Sequence, residues 1–215
     1  MPTEPTAAKP DESDSEWRDI LAALGTSRVY PAQTIIIHEG DTSDMLYLIR
    51  EGSGRVYSSN AEGRVIVYSE FGPGDLLGEP ALDGGPRSAS VMTTEKTTCV
   101  VIRIADFKAK IVTEPALAMQ VIFNLIRLVR SASENVKSLA LDDVYGRVVR
   151  LLMKIAVPDG DGWIIPHKLT HQEIADHVGS SREMVGRILK DLQTGGYVVS
   201  EKNAIVIRRK PPSGW

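Results

Sequence analysis

Glycine usage changes abruptly after residue 113, and this change restricts the folds open to the chain more than any other feature. Through residues 29–103, glycine separates short β-rich runs: QTIIIHE, MLYLIRE, GRVYSS, RVIVYSEF and TTCVVIRI. Short strands at near-regular spacing with glycine in the turns predict an antiparallel sandwich, barrel or roll. Residues 114–140 contain no glycine, and their one proline, Pro115, suits a first helical turn. The fold class read from this is α+β, an N-terminal antiparallel β-roll followed by one long helix. Such a helix spans roughly 39 Å at about 1.5 Å per residue, too long for one face of a small roll. Val121, Leu125, Leu128, Ala132 and Leu139 form one apolar stripe on it, and Ile122, Ile126, Val129 and Val136 form a second. Two stripes need two partners, its own β-domain and a second copy of the chain, so a homodimer is expected. The competing reading is one wide core-facing stripe in a monomer.

Asp142-Asp143 interrupts the stripes, and either aspartate can cap a new helix by accepting orphan backbone N–H groups. Beyond this hinge lies LTHQEIADHVGSSREMVGRILKDLQTGGYVV, the most specific stretch in the chain. Thr170 and Glu173 have capping-box spacing, Gly179 supplies a turn, and Ser180 and Glu183 repeat the capping-box spacing. Two short helices joined by a glycine turn predict a helix-turn-helix, with GYVVSEKNAIVIRR as a hairpin wing beside it. Arg182, Glu183 and Arg187 then point outward, where arginine can bond guanine and glutamate can accept from cytosine in the major groove of double-stranded DNA. Gly186 between them leaves room for close approach. Thr170, Ser180, Ser181 and Lys190 suit phosphate contacts.

Charge follows the same division. Residues 1–140 carry 14 Lys/Arg against 19 Asp/Glu, whereas residues 141–215 carry 11 against 9, so the two parts suit different partners. The Pro-, Ser- and acid-rich residues 1–15 are expected to be a disordered tail. The expected organisation is therefore tail 1–15, β-roll 16–113, dimerisation helix 114–141 and winged helix 142–215. No apolar run approaches a membrane span and no secretory signal pattern is present, so a cytoplasmic protein is expected. The single cysteine, Cys99, excludes an internal disulfide, a cysteine-rich zinc site and an iron–sulfur cluster. His167, His171 and His177 lack a completing carboxylate or cysteine, so no metal is expected.

The other informative stretch is GDLLGEPALDGGPRSASV, residues 74–91. Gly78, Glu79, Pro80 and Ala81 read as a strand end turning into a short helix. Arg87, Ser88 and Ala89 follow a glycine-rich turn and bring a guanidinium and a hydroxyl, the means to clasp a phosphate. Glu79 would be repelled by that phosphate unless it serves another group, such as a ribose hydroxyl. There is no GxxxxGK[ST] loop, and no nucleophile–base set stands out, so an enzyme is not expected.

The order of β-roll, GE-x-AL…RSA cassette, long helix and helix-turn-helix resembles the cAMP receptor protein (CRP/FNR) family of bacterial transcription regulators, over about residues 20–210. The resemblance implies that Gly78, Glu79, Arg87 and Ser88 bind the ribose and cyclic phosphate of a cyclic nucleotide. It also implies that Arg182, Glu183 and Arg187 read half of a palindromic TGTGA-type site, and that RNA polymerase is a partner, met at the exposed loop 157–163. Where the cAMP-binding branch has a Thr-Ser pair on the long helix, this chain has Ala132-Ser133, and an arginine one turn earlier is replaced by Leu128. The favoured effector is cAMP; cyclic di-GMP, or a constitutive DNA binder with a degenerate pocket, are the alternatives. A cyclic-nucleotide-dependent enzyme or adaptor is a further class, but residues 141–215 leave no space for a catalytic domain beside the helix-turn-helix.

Overall fold

The computed structural model describes residues 12–212 other than Lys168 and Lys202. Residues 1–11 of the expected tail lie outside the described residues, and residues 12–15 belong to a helix instead, α1 (Glu12–Ala22). Trp17 and Leu21, four residues apart on one helical face, are buried in the first core, which explains a helix at this place.

The strands follow as β1 (Thr26–Tyr30), β2 (Ile35–Ile37), β3 (Met45–Glu51), β4 (Gly54–Ser59), β5 (Val65–Phe71) and β6 (Leu76–Leu77). A single 3-10 segment, Glu79–Asp83, precedes β7 (Ser90–Thr93) and β8 (Thr97–Arg103). Then come α2 (Ile104–Thr113) and α3 (Pro115–Leu141), the long helix expected from the glycine-free stretch. The rest is α4 (Val144–Ile155), β9 (Val157–Asp159), β10 (Gly162–Ile165), α5 (His171–Val178), α6 (Arg182–Thr194), β11 (Val198–Ser200) and β12 (Ile205–Ile207). The expected loop 157–163 is thus largely the β9–β10 hairpin, because Val157 and Ile164 pair across a turn at Gly160.

By packing, the chain forms two compact units, one holding residues up to 57 with 69–129 and the other holding 58–68 with the residues from 130 onward. The first holds a four-stranded sheet of order β1-β8-β3-β6, and a second four-stranded sheet, whose β4 and β5 run into residues 58–68, has the order β2-β7-β4-β5. β3 is central, with Tyr47 and Leu48 opposite Val101 and Val100 on one side and Leu77 and Leu76 on the other. Side chains alternate along it, so it serves two cores. Leu46 and Leu48 pack with Ile102, Phe107 and Leu117, while Ile49 packs with Phe71, Leu77 and Cys99. The Cys99 thiol is fully buried and pushed up to about 11 by that burial, so it is inert.

The second unit is built on α4, α5 and α6. Val148, Leu152, Ile174, Val185 and Leu192 form its core with Ile165 and Ile207 from a sheet of order β11-β12-β10-β9. On α3, Leu117 and Val121 are buried, whereas Ile122, Leu125, Ile126, Leu128 and Val129 are exposed in this chain. Among the described residues no single helix is long and apolar enough to cross a membrane.

Phe107, on α2, is the largest fully buried side chain of the first core. Phe107→Ala is expected to cost about 3–5 kcal/mol through lost burial and a residual cavity. Urea unfolding monitored by circular dichroism would show a lowered midpoint; an unchanged one would mean that this residue does not anchor the core.

Candidate ligand site and nucleic-acid interface

The pairing of β6 with β3 brings residues 78–79 beside Met45, and the 3-10 segment and glycine-rich turn return the chain so that Arg87 lies under the same spot. Gly78 occupies the left-handed region at φ 95°, and a Cβ there would sit 2.5 Å from Arg87 Nη1, so only glycine fits. Arg87 is 4% exposed. Its Nη1 donates to the Gly78 carbonyl at 3.1 Å and its Nη2 to the Met45 carbonyl, while its buried Nε has no hydrogen-bond partner. Its backbone is pinned too, with Arg87 N–H donating to Asp41 O at 2.8 Å and Gly40 N–H to Arg87 O at 2.9 Å. Burial lowers the guanidinium pKa from its ordinary value, against the opposing pull of Tyr47, Asp44 and Glu79.

Glu79, 6% exposed, is the second buried charge-bearing group. Burial pushes its carboxyl up to about 7, with Asp75 adding to the rise, against hydrogen bonds from its own and the Gly78 N–H. The two groups are not an ordinary surface ion pair: both are buried, and no carboxylate oxygen lies within 4.0 Å of the Arg87 guanidinium among the described residues. Pro80 and Ser88 are exposed at the rim, Ala81 is buried beneath, and Ala89 is half-buried. The site therefore joins a buried cation bonded only to neutral carbonyls with a buried carboxyl that is partly protonated near neutrality. Such a pair suits a ligand that carries both an anion and a hydroxyl. Met45, Tyr47 and Asp44 were missed by sequence reasoning; Met45 acts through its carbonyl, which no side-chain pattern signals. Ala132 and Ser133 lie exposed on α3, in the part of it that belongs to the second unit.

In the second unit the first capping box is present as expected. Glu173 N–H donates to Thr170 Oγ1 at 3.1 Å, and Thr170 N–H donates to Glu173 Oε2 at 2.7 Å. Gly179 ends α5 at φ 63°. The second box expected at Ser180 and Glu183 does not form, and α6 has a single serine cap instead. Ser181, not Ser180, caps α6 by accepting from Met184 N–H at 3.2 Å, while Ser180 belongs to the turn, where its N–H donates to the Ala175 carbonyl. Glu183 is therefore the second helical residue. Its own N–H and the Ser181 hydroxyl hold its carboxylate below the ordinary value.

Arg182, Glu183, Arg187 and Lys190 are all exposed on α6, with Thr170 and Ser181 exposed at the helix starts and Ser180 half-buried. Gly186 differs from expectation. A Cβ there would meet His171 Nδ1 at 3.2 Å, so the small residue makes room for the side chain that starts α5. The break at Asp142-Asp143 is a bonded joint. Asp143 caps α4 through Gly146 N–H at 2.7 Å, and the Asp142 carboxylate accepts from Ser138 Oγ at 2.8 Å and faces Arg150 Nη2 at 2.6 Å. Arg147, also missed, donates from Nη1 to the Asp142 carbonyl at 2.9 Å and from Nε to the Val178 carbonyl at 2.8 Å. Among the described residues no group of three His, Cys, Asp or Glu side chains could hold a metal ion.

These two sites fall within two family matches. Residues 27–114 match the cyclic nucleotide-binding domain and residues 146–211 match the Crp-like helix-turn-helix domain. The cAMP-activated global transcriptional regulator CRP of Salmonella typhimurium is 37% identical over 187 residues, covering 83% of this chain and 87% of that protein. The regulator of the same name from Haemophilus influenzae is 35% identical over 189 residues, covering 83% of this chain and 82% of that protein. Among solved structures, the c-di-GMP-responsive global regulator CLP of Xanthomonas campestris superposes with a TM-score of 0.82 at 25% identity, covering 91% of this chain and 99% of that one. These relatives are transcription regulators, not enzymes. With a cyclic nucleotide-binding domain, a long α3 and a Crp-like helix-turn-helix in that order, the chain belongs to the CRP/FNR family of transcription regulators.

Proposed function

We propose that this chain is a homodimeric regulator whose DNA binding is switched by a cyclic nucleotide, with cAMP as the favoured effector. The observation that carries the ligand reading is Arg87, a buried guanidinium with neutral carbonyls as its hydrogen-bond partners and a buried Nε without one. In this reading Arg87 and Ser88 hold the cyclic phosphate. Glu79 accepts from a ribose hydroxyl, and residues 78–81 and Ala89 line the sugar. Ala132 and Ser133 face the base from the long helix, where Ser133 offers one hydroxyl. Support for cAMP comes from curated relatives described as cAMP-activated. Cyclic di-GMP is the second reading, favoured by the c-di-GMP-responsive structural neighbour and by the absence of a hydroxyl at Ala132. On DNA, Arg182, Glu183 and Arg187 read a TGTGA-type half-site while Thr170, Ser180, Ser181 and Lys190 meet phosphates. A two-fold dimer makes the site palindromic. RNA polymerase is the protein partner, met at the β9–β10 hairpin.

Calorimetric titration of the purified chain with cAMP and with cyclic di-GMP decides between the effectors. Arg87→Ala is expected to abolish both binding and nucleotide-stimulated DNA binding. Stimulation that survives this substitution would remove the cassette from the switch.

Dimerisation rests on the exposed α3 residues, with Leu125 and Leu128 at 37% and 41% exposure in a single chain. Leu125→Lys places an unpartnered charge in that seam and is expected to yield monomers. Light scattering that finds wild-type monomers with and without cAMP would sink the dimer.

Glu79 gives a pH signature. Its folded-state pKa, about 7, exceeds the ordinary value of 4.5. The folded state therefore binds the extra proton between these values, and stability falls as pH rises through that window. Glu79→Gln, which cannot ionise, is expected to match wild type near the lower end and exceed it by roughly 3 kcal/mol above the upper end, without ligand. Parallel denaturation curves for the two proteins at every pH would show that Glu79 does not titrate between them.

A further inference from the structure

One exposed side chain on α6 has no role in the reading above. Met184 is 40% exposed, although α6 already supplies Val185, Ile188, Leu189 and Leu192 to the core. The fold therefore does not need a thioether here, and its exposure leaves apolar surface in water on an otherwise charged face. At 100° per residue, Met184 lies about 160° around the helix from Gly186, the position packed against His171 of α5. It lies at the edge of the apolar face, one turn before the core residue Ile188 and beside Arg187. Helical side chains lean toward the N-terminus, so Met184, third in α6, projects over the Ser181 cap. In a helix-turn-helix this end of the second helix leads into the major groove.

We infer that Met184 reads sequence, packing its side chain on the C5-methyl group of a thymine in the half-site; this rests on α6 being the helix that enters the groove. The thymine methyl is the apolar group displayed on base edges in the major groove. Arg182, Glu183 and Arg187 form hydrogen bonds and ion pairs, which suit guanine and cytosine. A methionine can form no strong hydrogen bond, but its unbranched chain adapts to an irregular apolar surface. It distinguishes T·A from A·T at a step beside those read by Glu183 and Arg187. The residue thus adds a thymine requirement that the charged side chains cannot impose.

The test is selection of duplexes from a randomised palindromic pool by the full chain, with cAMP in the buffer and again with cyclic di-GMP. Each thymine of the selected half-site is then replaced by uracil, which removes only the methyl group. Wild type is expected to lose about fourfold in affinity per half-site at one thymine, the equivalent of about one methylene returned to water. Met184→Ala should bind thymine and uracil equally at that position, keep its guanine and cytosine preferences, and melt like wild type. Met184→Leu should restore the thymine preference. A wild-type-like thymine/uracil profile in Met184→Ala, or no sensitive thymine in wild type, overturns the inference. Arg187→Ala separates the two levels: if it weakens binding in that case, only the Met184 assignment fails. If Arg187→Ala also binds like wild type, or no duplex is enriched, the groove-entering helix is misassigned and the inference falls with it.

Discussion

The first unit depends on placing a guanidinium inside protein. Arg87 is held by carbonyls from two separate segments, Gly78 at the end of β6 and Met45 at the start of β3. Burying that charge without a carboxylate within 4.0 Å is costly, and carbonyl dipoles offset part of the cost. Much nearby geometry follows from this contact. Gly78 has to be glycine because Arg87 Nη1 occupies the space of a Cβ. The backbone on both sides of Arg87 is tied to the 40–41 turn. The 3-10 segment is the short path that carries the chain from one side of the guanidinium to the other.

The sequence revealed the larger units because their signals are repeated. The glycine spacing before residue 113 and its absence afterward yielded the β-rich domain and a helix within a residue of the observed Pro115–Leu141. Thr170 with Glu173 and the glycine at 179 fixed α5 at both ends, since each makes a local bond that few other residue pairs can make. In the cassette, Gly78, Glu79 and Arg87 were singled out from their residue types and are neighbours in the fold.

What escaped has physical reasons. The cap read at Ser180 fell to Ser181, because the sequence could not say that Ser180 belongs to the turn, its N–H bonded to the Ala175 carbonyl. Gly186 between two arginines looked like room for a partner, but its open side is filled by His171, fifteen residues earlier in the chain. The Met45 carbonyl and the Arg147 bridge between Asp142 and Val178 are long-range or backbone contacts, which periodicity does not record. The early start of α1 was hidden by the polar composition around it, because two well-placed apolar residues were enough to anchor a helix.

The packing of Gly186 against His171 separates two properties of α6 that could have been entangled. The inward residues Val185, Ile188, Leu189 and Leu192, together with that glycine, set the rotation and depth of the helix on its support. Arg182, Glu183, Met184 and Arg187 are exposed, with Met184 at the edge of the apolar face. Replacement of these outward side chains can therefore diversify the surface while the scaffold stays in register, with little stability penalty. A side chain at Gly186 instead comes within 3.2 Å of His171 Nδ1, so the imidazole at the start of α5 has to give way by a few tenths of an ångström. α6 thus behaves as an interchangeable keypad on a fixed mount: the inward residues set its position, and the outward ones can change without moving it.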